Sequence, residues 1–316
     1  MNTTGGESGR GWLAWVGWQM RVPAEWRPLR IEGEWAKGGM FVGDDREPVL
    51  RLKWWRPGKR WFDPERWLDR RVRSAPLRPV NPEGPKPAGF QHVRWIPEAE
   101  PKASERPVLW LWYGYAPKAD LVLEIAVSSG LATRVKRMIA SRVIPSLRAY
   151  GLDEATRWSL YGASFESPAG FRMVERRLLL GDITLRLVSA DKSRLMLRQV
   201  YPATLALARR KLERWLDVRP FKQHRRFRAA GPAERWTVSS FGRTLEGIRL
   251  IGRKRLPFPL GFCASRETVS AIAEDKSLDR LLLAELDSPG PPDEALVGRV
   301  VGQMNWAMLE SVSSKQ

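Results

Sequence analysis

"GWQMRVPAEW" at residues 17–26 and "GASFESPAGF" at residues 162–171 say nearly the same thing 145 positions apart. Gly17 meets Gly162, Met20 meets Phe165, Pro23 meets Pro168 and Trp26 meets Phe171. An alternating strand, a proline that cannot continue a central ladder and an aromatic anchor account for the shared pattern. The register continues downstream. "VLRLKWW" (49–55) lies over "RLMLRQV" (194–200), with Leu50 on Leu195 and Leu52 on Leu197. Both read as period-two strands with basic residues between apolar ones. "QHVRW" (91–95) lies over "WTVSS" (236–240) at the same offset, and "LWYGYA" (111–116) over "LGFCAS" (260–265) at an offset of 149.

The intervening segments agree in kind. "DPERWLDRRVR" (63–73) and "PATLALARRKLERWL" (202–216) read as helices, with Pro64 and Pro202 in first-turn positions. Each half closes on an amphipathic helix. Val135, Met138, Ile139, Val143 and Leu147 line one face of the first, which Pro145 kinks or ends. Leu296, Val297, Val300, Val301 and Met304 line the second, entered through Asp293. Each half thus reads strand, strand, strand, helix, strand, strand, helix. The expectation is an α+β protein of two tandem similar domains, 1–155 and 156–316, each a mainly antiparallel sheet with packed helices. Nothing has the βαβ rhythm of a doubly wound sheet. A proline-rich loop at 74–90 interrupts the first half, and a basic loop at 219–230 takes its place in the second.

The start of the second half, "FESPAGF" (165–171) followed by "LLLGDITLRLVSADKSRLMLRQV" (178–200), resembles the Mog1/PsbP-type domain. The resemblance covers some forty residues per half, on an unspecific motif. It implies a fold used mainly for protein binding and assembly, usually without catalysis, and it supplies no functional residues.

Composition narrows the function. The chain carries 54 Lys and Arg against 35 Asp and Glu, a net charge of +19, and a pI near 10.7. So basic a chain points to an anionic partner: nucleic acid, a lipid surface or an acidic protein. Arg-rich surfaces also arise without any partner, from genome composition or adaptation to heat. The single cysteine, Cys263, excludes an intramolecular disulfide and a cysteine-based metal site. With no apolar h-region at the N-terminus and no run of 18 apolar residues, a cytoplasmic setting is the default reading.

No catalytic kit emerges. His92, in a strand, reads as structural, and His224 lies in the cationic "KQHRRFR". Neither has the partners of a triad, and two distant histidines are too few for most zinc sites. Cys263 reads as a buried strand residue. Asp44 and Asp45, like Gly181 and Asp182, are turn chemistry. The glycines of "TGGESGRG" (4–11) lack a preceding strand and a Gly-Lys-Ser/Thr ending, so no nucleotide-binding loop is read. No enzyme, cofactor or metal is expected.

Charge interleaved with aromatics is what remains. The candidate nucleic-acid contacts are Lys53, Arg56, Lys59, Arg60, Arg70 and Arg71 in "KWWRPGKRWFDPERWLDRRVR" (53–73), Arg219, Lys222, Arg225, Arg226 and Arg228 in "RPFKQHRRFR" (219–228), and Arg253, Lys254 and Arg255 in "RLIGRKRLP" (249–257). Trp54, Trp61, Trp110, Trp112 and Phe227 are the candidate aromatic contacts. Cations neutralise phosphates and exposed rings stack on unpaired bases. Motifs for reading a specific sequence are absent. The expected function is therefore non-enzymatic binding of nucleic acid or another anionic polymer, without strong sequence preference. The alternative is a protein-interaction or assembly module docking through the first half, since twelve of the sixteen tryptophans fall in residues 12–112. A membrane surface is the weaker reading. It rests on the basic segment 131–149, with Arg134, Lys136, Arg137, Arg142 and Arg148.

Overall fold

The computed structural model describes residues 10–58, 62–74, 86–96, 108–128, 130–209, 211–217, 227–254, 266–291 and 293–307. The chain forms two units, divided between Gly162 and Ala163. In the first unit, β1 (Arg10–Trp15), β2 (Trp18–Pro23), β3 (Arg27–Gly33), β4 (Lys37–Gly43) and β5 (Pro48–Trp55) precede helix α1 (Pro64–Ser74). Then come β6 (His92–Ile96), β7 (Val108–Ala116), β8 (Leu121–Ser128) and helix α2 (Thr133–Met138). Helix α2 runs on through a π turn at Ile139–Val143 and a 3-10 turn at Ile144–Ser146 into β9 (Arg148–Ala149) and β10 (Thr156–Leu160). β10 pairs with β1, Ser159 opposite Ala14, so the first unit extends past residue 155.

The second unit holds β11 (Ala163–Ser167), β12 (Arg172–Leu179), β13 (Asp182–Val188), β14 (Arg194–Val200), α3 (Ala203–Arg209) and α4 (Leu212–Asp217). It continues with β15 (Phe227–Ala229), β16 (Glu234–Ser240), β17 (Arg243–Lys254), β18 (Glu267–Asp275), β19 (Arg280–Ser288) and α5 (Glu294–Gly302).

The α+β expectation is overturned. Strands take 51% of the described residues and helices 19%, in three antiparallel sheets with few helices, which is a β-rich fold. The first unit places five strands and the second four, not three, before the first helix, and the helix expected over 202–216 is two short ones. The extra strands belong to hairpins whose turns are only two residues long. A type I′ turn of this length needs both residues at positive φ. Val16 and Gly17 adopt 38° and 92°, and Tyr161 and Gly162 adopt 51° and 76°. The glycine repeat at 17 and 162 therefore marks one turn made twice.

The repetition extends to sheet topology. The first unit's large sheet runs β3-β4-β5-β8-β7-β6, and the second unit's runs β12-β13-β14-β19-β18-β17. In the second, β15 and β16 both pair with the far edge of β17, one at each end. By sheet position the counterpart of β7 is β18, so the match of 111–116 to 260–265 is not the structural one; residues 260–265 lie outside the described residues. β6 corresponds to β17 rather than to the 236–240 segment, which is in β16.

Tryptophan builds the first core. Trp15, Trp18, Trp54, Trp112 and Trp158 are fully buried, and Trp15 meets Trp158 edge-on at 5.5 Å. The Trp54 ring lies across Gly38, its cross-strand partner on β4, while its Nε1 donates to the Glu34 carbonyl at 2.9 Å. A β-carbon on Gly38 would fall well inside contact distance of that ring and of the Glu32 carbonyl. Gly38→Ala is expected to destabilise the protein by about 1–3 kcal/mol through overpacking. A urea melt checks this, and an unchanged midpoint would refute the packing argument. Among the described residues no helix is long and apolar enough to cross a membrane.

Candidate anion-binding surface

The helical segment after β8 carries four cations with no carboxylate partner among the described residues. Its sequence, "LATRVKRMIASRVIPSL" (131–147), buries Leu131, Ile139, Val143, Ile144 and Leu147. Ser146 ties the segment to β2, accepting from the Arg21 N–H at 2.8 Å and donating to the Val143 carbonyl at 2.6 Å. Arg134, Arg137, Ser141 and Arg142 are left exposed and Lys136 half-exposed. No acidic residue occurs between Glu124 and Asp153, and no described carboxylate pairs with Arg134, Lys136, Arg137 or Arg142.

The helix breaks several rules of helix construction. Ala132 precedes it without a side-chain cap, and its first turn has no acid. Arg134 sits instead where the helix dipole disfavours a cation, and three residues before Arg137, a like-charge neighbour. The second unit provides an internal control. Helix α5 follows β19 as α2 follows β8, and it obeys every rule. Asp293 caps it by accepting from the Leu296 N–H at 2.9 Å, Glu294 fills the first turn, and Arg299 comes in the last. The same position in one fold is thus conventional in one copy and strained by like charge in the other.

The segment 53–73 uses its cations differently. Lys53 on β5 and Arg71 on α1 flank the buried carboxylate of Glu124 on β8, at 3.9 and 3.7 Å. Arg71 also lies over the Trp67 ring at 5.9 Å. Tyr113, opposite Glu124 on β7, has its phenol pushed up to about 12 by burial and by that carboxylate, so it stays neutral at ordinary pH. Arg56 is clamped inside the unit. Its guanidinium donates to the Val16 carbonyl at 2.7 Å and to the Ala119 carbonyl, and it stacks on Trp35 at 4.1 Å. Arg70 is exposed, with Nε donating to the Arg66 carbonyl at 3.4 Å. Lys59, Arg60 and Trp61 lie outside the described residues.

The aromatic candidates need correction. Trp54 and Trp112 are fully buried, so neither offers a face to a base. Both satisfy core packing: Trp112 meets Phe90 edge-on at 5.2 Å. Trp110 is described only as a strand position on β7, and Phe227 only as one on β15.

Strand pairing joins the two basic runs of the second unit. Arg228 stands opposite Arg253, and Phe227 opposite Lys254. On its other side Arg253 stands opposite Glu267, so an acid already adjoins this row. Arg249 is neutralised by Glu234 at 2.8 Å and by Glu294. Arg219, Lys222, Arg225, Arg226 and Arg255 lie outside the described residues, as do His224, Cys263 and most of the loops 74–90 and 219–230.

Sequence reasoning treated 131–149 only as a membrane-surface helix. The signal that picks it out for other polyanions is the acid-free stretch of sequence, read against the well-capped α5. The Asp44 turn is as read: Arg46 and Glu47 N–H groups donate to its carboxylate at 2.9 and 3.1 Å and hold its pKa below the usual range. His92 faces Glu65 at 3.6 Å and adjoins the Tyr115 ring. Among the described residues no three His, Cys, Asp or Glu side chains gather as a metal site. No protein-family model matches the chain, and no curated protein matches it.

Proposed function

We propose that the protein binds the phosphate backbone of nucleic acid, without reading sequence, through the cations of the segment 134–142. The observation that carries this reading is that Arg134, Arg137 and Arg142 stand exposed and Lys136 half-exposed, with no carboxylate partner among the described residues. Over these nine residues a helix rises about 12 Å, enough to meet several successive phosphates. A bound polyanion would relieve the like-charge repulsion that the free helix bears. None of the large apolar side chains that stand exposed lies in 131–149, where Val135 and Met138 are half-buried, so the segment presents little apolar surface to a bilayer. That favours a polymer over a lipid surface. The single cysteine supports placing this activity in the cytoplasm. The assembly alternative through the Trp-rich half draws little support, because among the described residues the exposed large hydrophobics include no tryptophan.

The test is fluorescence anisotropy with labelled single-stranded RNA, single-stranded DNA and duplex across a salt series. Replacing all four cations by Gln should lower the magnitude of the log K against log salt slope by about 3. A slope that falls only when Arg228 and Lys254 are replaced would move the site to β15 and β17. Binding to phosphatidylserine vesicles with none to nucleic acid would replace the reading by a lipid one.

A further inference from the structure

The second unit carries a groove that the polyanion reading does not use. It lies between α3, α4 and the end of β14, with a volume of about 420 Å³. Val200, Tyr201, Pro202, Leu205, Ala206 and Trp215 give it an apolar and aromatic lining. Tyr201 is 53% exposed and Leu205 55% exposed, so two of the most exposed large apolar side chains described converge on one depression. Ala206 and Trp215 are themselves packed against the unit's apolar core of Ala203, Leu216, Ile272 and Leu283, so the groove has a firm floor. Burying a leucine and a tyrosine against a ligand is favourable because it removes apolar surface from water.

Among the residues that line the groove the charge has one sign, while the nearby Asp279 is held on the first turn of α3, accepting from the Thr204 N–H at 2.8 Å. Arg209 is the charged residue of its lining. Arg280 lies over the Tyr201 ring at 5.5 Å, and Arg198 over the Trp215 ring at 5.2 Å. Arg280 is held within the unit by Gln199 at 3.0 Å and Arg198 by Asp182 at 2.8 Å, which leaves Arg209 at the rim to meet a ligand. An apolar cleft of this size with a few placed polar groups is the usual form of a small-molecule site. The first unit differs at one described position of this lining. In the 145-residue register Arg56 takes the place of Tyr201, and its side chain is turned inward onto the Val16 and Ala119 carbonyls.

We infer that this groove binds a small amphipathic acid, an acyl or aryl chain lying against Tyr201, Leu205 and Trp215 with its carboxylate on Arg209. The inference stands apart from the nucleic-acid reading, because the groove and the basic segment share no residue. The probe is 8-anilinonaphthalene-1-sulfonate, an aryl anion whose emission rises in apolar sites, titrated into the full chain. Saturable binding is expected, displaced by decanoate and not by decylamine. Arg209→Glu should weaken it at least tenfold, and Leu205→Ser should weaken it as well. Leu180→Ser, at the fully exposed turn after β12, should leave it unchanged. Equal displacement by decylamine, or full binding by Arg209→Glu, would overturn anion recognition. A concentration-dependent dimer in sedimentation, abolished by Leu205→Ser, would overturn the small-molecule reading in favour of a second copy of the chain. Circular dichroism of each variant separates loss of binding from loss of fold.

Discussion

Asp275→Ala lowers the stability of the protein by roughly 3–5 kcal/mol, the range for removing one partner of a buried ion pair. Asp275 is 1% exposed and serves as the node of a network that joins the buried Asn305 to the partly exposed Arg243 and the exposed Ser277. Arg243 donates to it through both terminal nitrogens, at 3.1 and 3.0 Å. The Ser277 hydroxyl donates at 2.7 Å, the Leu278 N–H at 3.3 Å and the Asn305 side-chain amide at 3.3 Å. Asn305 in turn donates its backbone N–H to the Ser164 carbonyl at 3.0 Å, in a left-handed conformation with φ of 67°. The next residue, Trp306, donates its indole N–H to the Phe165 carbonyl at 3.0 Å. Removing the carboxylate strands several donors at once, and groups acting through one node lose more than any single bond is worth. Against a typical total of about 5–15 kcal/mol, that loss is large. Two measurements check it. A urea melt should show the drop. Amide exchange should quicken first at Asn305 and Ala307, whose N–H groups are held by Ser164. Asp275→Asn keeps the shape and one carbonyl acceptor, so it should lose less. A loss below 1 kcal/mol for the alanine variant would mean that Arg243 and Asn305 find solvent instead.

That network also marks the limit of what sequence could reveal. The match of 17–26 with 162–171 was legible because a two-residue turn with positive φ leaves a glycine at a fixed place, Gly17 and Gly162. The helix start at Asp293 was legible because a cap is local chemistry. A second repeated signal passed unread. Asp120 and Asp279 both adopt positive φ just before β8 and β19. The first accepts from the Gly58 N–H at 3.2 Å and the second from the Thr204 N–H at 2.8 Å, so one fastens the chain leaving β5 and the other the chain leaving its counterpart β14. Their offset of 159 differs from 145 because the loops between lengthen, and an alignment held at one offset misses them. The excess of strand over helix was hidden for a related reason. Short hairpins such as β3–β4 alternate weakly, since β3 is an edge strand with only Pro28 buried. The dual use of arginine was hidden altogether. Arg56 and Arg134 look alike in sequence, yet one is an internal clamp and the other faces solvent. Only the fold distinguishes a cation already committed to a carbonyl or carboxylate from one free to meet a phosphate.

The double substitution Lys53→Ala with Arg71→Ala is expected to cost about 2–4 kcal/mol, and adding Glu124→Leu should recover most of it. The reason lies in a comparison between the two copies. On β14 and β19, the positions matching Lys53 and Glu124 are Arg198 and Leu283, which face each other in register. Ile272 on β18 stands where Tyr113 stands on β7. The second unit thus packs an apolar core under its helices, with Leu283 and Ile272 in it. The first buries a carboxylate whose side chain is 6% exposed, under α1. That carboxylate is tolerable only while two cations attend it, because a buried charge left alone suffers its full desolvation penalty. Lys53 and Arg71 are each about half exposed, so they can return to water when Glu124 is gone. Removing the cations is therefore costly, and removing the acid should be nearly neutral or stabilising. Three urea melts decide the matter: the double variant, Glu124→Leu alone, and the triple. If Glu124→Leu is as damaging as the double variant, the cluster contributes net stability and the comparison with Leu283 fails. The same proteins bear on function. Lys53 and Arg71 are committed to Glu124, so the double variant should keep its slope of nucleic-acid affinity against salt, which the segment 134–142 is proposed to set. A slope that falls with the double variant would mean that the two cations leave Glu124 to meet phosphate, and the basic face of the first unit would then extend to α1.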